Sequence, residues 1–262
     1  MAEPGKVVAR REGAVGWVVL DNQARRNAVS VSMWQGLAEA LRAFRDDAAV
    51  RAVVLTGAGD KAFASGADIS EFESRRSTED AIAEYNRIAT DANSTLKTFP
   101  KPTIAMIRGY CFGGGVGLAL GCDLRFAADD AVFSVPAARL GLAYPMGSVK
   151  ALFDAVGAAH AKEILFTARR YGAAEALQIG LVGRIVPGAE LERAVGECTA
   201  MIADNAPLTV AASKIAVDAM VAAPGGNLAA AEAAAAAALG SEDYKEGRRA
   251  FMEKRRPVFA GR

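Results

Sequence analysis

Apolar positions along this chain change their spacing several times, and each change marks an element. Lys6–Arg10 and Val15–Leu20 alternate apolar and polar positions, which predicts two strands joined by a turn at Glu12–Gly13. After a polar loop at Asp21–Arg26 the period lengthens: Met33, Leu37, Leu41 and Phe44 form one face of a helix that Ser30 caps and that runs to about Arg45. Ala52–Leu55 and the tetrad Ile104–Ile107 are unbroken apolar runs, the pattern of buried strands. Ser77–Leu96 reads as a long helix, closed by Pro100 and Pro102. Asp123–Ala127 and Ala131–Phe133 read as short strands about an Asp129–Asp130 turn. Helices are expected at Ser148–Val156, Ala158–Thr167 and Ala173–Gly180, and a strand at Gly183–Val186.

From Ala189 the pattern is almost continuous helix: Glu190–Asp204, Leu208–Val221, Leu228–Leu239 and Ser241–Lys254. Ala229–Ala238 is nearly all alanine, a strong helix former that brings little area to bury, so this helix borrows stability from its neighbours. The change of character near Pro187 predicts two parts, residues 1–187 and 188–262.

One stretch stands out against this background. After the tetrad at 104–107, three consecutive glycines, Gly113, Gly114 and Gly115, lead into an apolar run that ends at Cys122. A strand, a glycine turn and a helix start would aim free N–H groups at one point, where negative charge is favoured. Such a turn cradles a phosphate, or polarises a carbonyl that becomes an oxyanion. It also suits tight helix–strand packing with no ligand at all. The dinucleotide pattern fails because Leu118 stands where its third glycine belongs, and no Gly-Lys-Ser/Thr follows for a phosphate loop.

Composition narrows the field without choosing. The chain has 262 residues, 52% of them apolar, enough for one large domain or a domain with a helical appendage. A net charge of +1 gives no overall footprint for nucleic acid. The arginine pairs Arg25–Arg26, Arg169–Arg170 and Arg255–Arg256 suit either an anionic ligand or plain solvent. Cys111, Cys122 and Cys198 form no C-x-x-C and fit reduced thiols in a cytoplasmic protein. Cys111 lies near the glycines but, with a single histidine in the chain, reads as a buried structural thiol. Met1–Gly5 has no apolar run, so no signal peptide is expected, and no segment reaches the roughly 20 apolar residues that span a bilayer.

The order I-A-x-I-x-G-x-x-x-G-G-G, followed after four residues by L-G-C-D-L, resembles the signature of the enoyl-CoA hydratase/isomerase (crotonase) family. Lys61–Ile69 (K-A-F-A-S-G-A-D-I), which reads as a loop after Gly57 and Gly59, resembles that family's second site segment, and Glu242–Phe259 its C-terminal tail. The resemblance implies an α/β fold, a spiral of β-β-α units with a helical C-terminal part that mediates trimers or hexamers. It implies a substrate that is an acyl-CoA thioester, with coenzyme A as part of the substrate and no separate cofactor. Neither nucleic acid nor membrane is implied as a partner.

Residue by residue, the resemblance makes the N–H groups of Ala67 and Gly114 an oxyanion hole for the thioester carbonyl. Small residues flanked by glycine suit that role. It places coenzyme A contacts at Ala24, Arg25 and Arg26, along Ser65, Gly66, Asp68 and Ile69, and around Gly113. From a neighbouring subunit, Phe251 and Lys254 would reach the nucleotide end. Asp68 sits in a structural G-x-D position and is not expected to act as a base. The departures matter as much. The family's hydratases carry two glutamates; the corresponding positions here are Gly117 and, after Pro136, Ala137, whose side chains transfer no protons. His160, Glu71 and Glu73 are poor substitutes, the first remote in sequence and the others suited to solvent at a helix start. Tyr144 is more interesting: related malonyl-type acyl-CoA decarboxylases share L-G-x-x-Y and S-E-D-Y-x-E-G-x-x-A-F and place a catalytic tyrosine there, though with histidine where this chain has Ala67. The plainer reading of Tyr144 is a pocket-lining aromatic. Three functions stay open: a thioester-processing enzyme with weak or atypical hydratase activity, a decarboxylase or hydrolase variant, and a non-catalytic acyl-CoA binder.

Overall fold

In a computed structural model that describes residues 5–68, 79–222 and 225–262, the chain winds back and forth between two sheets. β1 (Lys6–Glu12) and β2 (Val15–Asp21) form an antiparallel hairpin. β2 then continues in parallel with β3 (Ala52–Gly57), β3 with β5 (Thr103–Ile107), β5 with β7 (Leu124–Ala128), and β7 with β10 (Arg184–Val186). The second sheet takes the strands in between: β4 (Ala62–Ala64), β6 (Tyr110–Phe112), β8 (Val132–Ser134) and β9 (Tyr171–Gly172). Each turn of the chain thus lays one strand in each sheet and returns through a helix. That is the β-β-α spiral which the resemblance implies.

The apolar tetrad at 104–107 explains itself in this setting. Ile104 and Met106 join one buried cluster with Trp17, Val54 and Phe126, while Ala105 and Ile107 join the other. Alternate side chains point to opposite faces, so a strand covered on both sides must be apolar throughout. The larger cluster is closed by α1 (Val31–Asp46), whose Met33, Leu37, Leu41 and Phe44 are all buried, as the spacing predicts. Ser30 caps it by accepting from the Met33 N–H at 3.3 Å, and Lys101 Nζ closes the other end, donating to Phe44 O and Asp47 O at 2.7 Å. α2 (Glu79–Lys97) lies beside it, with Trp34 Nε1 donating to the Tyr85 hydroxyl; the start expected for that helix at Ser77 lies outside the described residues.

α3 (Gly114–Gly121) and α4 (Met146–Thr167) complete the wall around the glycine stretch. α4 is two helices in one run: Gly157, with φ of 72°, breaks it between the two segments that the sequence separates. After α5 (Ala173–Gln178), α6 (Leu191–Ala203) covers the outer face of the six-stranded sheet with Leu191, Ala194 and Val195. α7 (Pro207–Val221), the alanine-rich α8 (Leu228–Gly240) and α9 (Glu242–Met252) follow. α8 rests against α7, the neighbour from which an alanine helix must borrow. A partly buried ion pair, Lys214 to Asp123 at 2.8 Å, ties α7 to the start of β7.

Two expectations need correction. The segment K-A-F-A-S-G-A-D-I is not loop alone, because Ala62–Ala64 forms β4. The strand that enters the glycine turn is β6, in the other sheet from the apolar tetrad. Three-residue strands are too short to show a period, which is why neither is legible in the pattern.

Candidate functional site

Gly115 sets the packing. A Cβ placed there would stand 2.2 Å from the Ala64 carbonyl oxygen, so only glycine lets the first turn of α3 press against β4. That contact brings the glycine turn beside the segment Ser65–Asp68. There Val29 donates to Gly66 O at 2.8 Å and accepts from the Asp68 N–H at 3.0 Å, a parallel bridge centred on Ala67. In extended chain successive N–H groups alternate sides, so the Ala67 N–H is turned away from Val29. It faces Gly114: a Cβ built on Gly114 would lie 3.6 Å from the Ala67 nitrogen. Gly114 opens α3, where N–H groups have no partner within the helix. Among the described residues, nothing accepts a hydrogen bond from either N–H. Two free donors side by side at a helix N-terminus can hold a carbonyl oxygen as charge builds on it.

The supports of this arrangement lie in the loop after β2. Asn27 is buried and makes a latch. Its Nδ2 donates to Ala58 O at 3.0 Å and Ala62 O at 2.7 Å, and its Oδ1 accepts from the Asn22 N–H at 3.0 Å. A 3₁₀ turn at Gln23–Arg25 precedes it, with Ala24 at its centre. Ser65 donates through Oγ to Arg25 O and through its N–H to Arg26 O, joining both loops. The structure takes the Arg25 guanidinium to the buried Asp68 carboxylate at 2.6 Å, so Asp68 holds the loops together. Arg26 stacks over Tyr110 at 4.9 Å. Ile69, Glu71 and Glu73 lie outside the described residues.

On the other side of the glycine turn, the described groups nearest Gly117 are hydroxyls. Gly117 lies one helical turn beyond Gly114. The space in front of it is taken by the Tyr144 hydroxyl and the Ser148 Oγ, 3.5 and 3.6 Å from where its Cβ would be. Tyr144 donates to Gly113 O at 3.0 Å. Burial pushes the phenol well above its usual range. The group therefore stays protonated. Ala137 is buried in the 3₁₀ turn Pro136–Leu140, and Pro136 closes on Gly113, with its Cδ 3.9 Å from where a Cβ there would be.

Of the sequence-derived candidates, Ala24 to Arg26, Ser65 to Asp68, Gly113, Gly114, Gly117, Pro136 and Tyr144 converge on this junction. Phe251 and Lys254 do not join it within one chain; Phe251 is 82% exposed at the end of α9, and the Lys254 N–H bonds to Phe251 O. His160 is exposed on α4 beside Glu163. Cys111 and Cys122 are fully buried, and burial drives both thiols up, Cys122 to about 12. Cys111 is thus buried, as expected. Ser148 is the residue that reading the sequence missed. It sits four positions after Tyr144, in the first turn of α4, and nothing in its own sequence surroundings marks it.

Comparison with known proteins gives a consistent picture. The family model described as enoyl-CoA hydratase/isomerase matches residues 10–262. The chain is 33% identical over 255 residues to a short-chain-enoyl-CoA hydratase of Clostridium acetobutylicum, covering 97% of each. It is 36% identical to a mitochondrial enoyl-CoA hydratase of Pongo abelii, over 97% of this chain and 87% of that one. A crystal structure of an enoyl-CoA hydratase/carnithine racemase from Magnetospirillum magneticum superposes with a TM-score of 0.92 at 36% identity, covering 98% of this chain and 96% of that one.

Proposed function

The chain belongs to the enoyl-CoA hydratase/isomerase family, and from that premise we propose that it binds an acyl-CoA thioester with the carbonyl oxygen between the N–H groups of Ala67 and Gly114. The observation that carries this is the pair of adjacent backbone donors, free of any described acceptor. As the α-carbon becomes carbanionic, its electrons spread to the oxygen, and the two donors and the helix N-terminus hold the charge of the enolate. Coenzyme A lies along Ala24–Arg26 and Ser65–Ile69. Arg26 is the better placed of the two arginines to meet its phosphates, since Arg25 is held by Asp68. Residues 188–262 assemble the protein as a trimer or a dimer of trimers in the cytoplasm, where Phe251 and Lys254 of one copy serve the site of the next. The exposed Val217, Met220, Val221, Leu228 and Leu239 supply apolar surface for that contact.

Efficient hydration asks for a carboxylate to activate water and an acid to protonate the α-carbon. Gly117 and Ala137 supply neither, so the hydratase activity is weak. A second reading is favoured by the neutral hydroxyls in front of Gly117: decarboxylation of a 2-carboxyacyl thioester. There the bond to the carboxylate breaks, its electron pair becomes the enolate, carbon dioxide leaves, and a solvent proton closes the α-carbon. No base is needed. Gly114→Pro tests the shared part of both readings. Proline is tolerated at the first position of a helix and lacks the N–H. The expected outcome is a folded protein whose turnover of its thioester falls about 10²–10³-fold; unchanged turnover and affinity would refute the assignment. A mass-spectrometric screen of crotonyl-type and malonyl-type thioesters separates the two readings.

A further inference from the structure

The carbonyl of Gly113 and the N–H of Gly114 belong to one peptide group. Gly113 is the most conformationally free point of the turn, with φ of 51° and ψ of −114°, so nothing in its own side chain holds that peptide plane. Two donors hold it instead. The Gly117 N–H reaches Gly113 O at 3.2 Å as the first bond of α3, and the Tyr144 hydroxyl reaches it at 3.0 Å. A carbonyl oxygen has two lone pairs, and both are used. The Ser148 Oγ shares the space in front of Gly117 with the phenol, 3.6 Å from where a Cβ there would be.

We infer that Tyr144 is a positioning residue for the carbonyl-binding site: it pins the 113–114 peptide and strengthens the Gly114 N–H as a donor. A trans peptide points its C=O and N–H in opposite directions, so a donor on the Gly113 side leaves the Gly114 side clear for a ligand. Hydrogen bonds in series polarise one another, so a carbonyl that accepts two bonds makes its own N–H more positive. The role differs from acid or base catalysis, because the phenol touches no reacting atom and keeps its proton. It also gives the hydroxyls a purpose in the space that a side chain at position 117 would need. The inference rests on the proposed carbonyl site, but it concerns the unliganded peptide first.

The test compares the full-length protein with Tyr144→Phe and with a form that carries 3-fluorotyrosine at position 144, labelled with isotopic glycine. In the free protein the Gly114 amide proton is expected to move upfield in Tyr144→Phe and downfield with the more acidic fluorophenol, while that of Gly109 stays in place. With acetyl-CoA bound, the red shift of the thioester carbonyl stretch is expected to shrink in Tyr144→Phe. The preference for acetyl-CoA over coenzyme A itself is expected to fall about tenfold, the loss of one ordinary hydrogen bond. A residue that merely filled space would leave the Gly114 amide and the carbonyl stretch where they were, and that result overturns the inference. The fluorinated form keeps both the ring and the hydroxyl, so it decides the matter if Tyr144→Phe does not fold. Should the wild type bind no acetyl-CoA, the proposed function fails, and the Gly114 amide in the free protein still rules on Tyr144.

Discussion

The proposed carbonyl site at Ala67 and Gly114 consists of main-chain hydrogens; one helical turn on, at Gly117, and across at Ala137, stand side chains that move no proton. The first side is made by packing. Gly115 against Ala64, the Val29 bridge and the Asn27 latch fix where two N–H groups point, and no functional letter appears at either position. The second side, in the family's hydratases, is made by letters, and here two letters differ. A backbone site survives any substitution that keeps the fold and both N–H groups, whereas a side-chain site is lost with one residue. On the proposed reading, family membership and weak hydration are compatible for that reason.

Restoring the missing letters should have the largest effect. Gly117→Glu with Ala137→Glu is expected to raise hydration of crotonyl-CoA by about 10²–10⁴-fold over the wild type, the usual range for general acid–base groups. Gly117→Glu alone should do less than its chemistry allows, because the new side chain meets the Tyr144 and Ser148 hydroxyls; adding Ser148→Ala should recover part of the difference. A wild-type hydration rate already typical of an efficient enzyme would break the contrast and point to another proton carrier.

Next come two alanine substitutions on the same helix. Gly115→Ala drives a methyl into the Ala64 carbonyl at 2.2 Å and should cost about 1–3 kcal/mol by overpacking. Gly117→Ala meets only ordinary contacts, at 3.5 and 3.6 Å, and should change stability by no more than about 0.5 kcal/mol. Denaturant titration of both variants sharpens the comparison directly, since one glycine is there for packing and the other for space.

The smallest effect concerns alkali. Cys111 and Cys122 bracket the glycine turn, and burial raises both thiols above their usual range. A raised pKa in the folded state means that its contribution is complete below the unfolded value, about 8.5 for a thiol, and is lost as pH rises towards the folded one. Stability should therefore decline above about pH 8.5, and Cys122→Ala should flatten that decline in a thermal melt series.

Much of this was legible in the residues. The Ser30 cap, the stripe Met33–Phe44, the break between the two halves of α4, and the helical run after Pro187 all follow from local spacing. The two proposed donor positions come from the resemblance and the small residues around them. What escaped reading depends on contacts distant in sequence. β4, β6 and β9 are two or three residues long and take their identity from neighbours in a sheet. The Arg25–Asp68 pair joins positions 43 residues apart, and the Tyr144–Gly113 bond joins positions 31 apart. Spacing rules within a helix or strand have nothing to say about either.

The Asn27 latch also bears on how the protein ages. Its Nδ2 faces two carbonyl oxygens, and asparagine is among the thermolabile residues. Deamidation would exchange that nitrogen for an oxygen, so that a carboxylate confronted Ala58 O and Ala62 O in a buried place with no hydrogen to share. One slow hydrolytic event, remote from any chemistry on a substrate, would then loosen β4 and spread the two loops it joins. A preparation kept warm should lose its ligand site before it loses its secondary structure, with a mass gain confined to the peptide that contains Asn27.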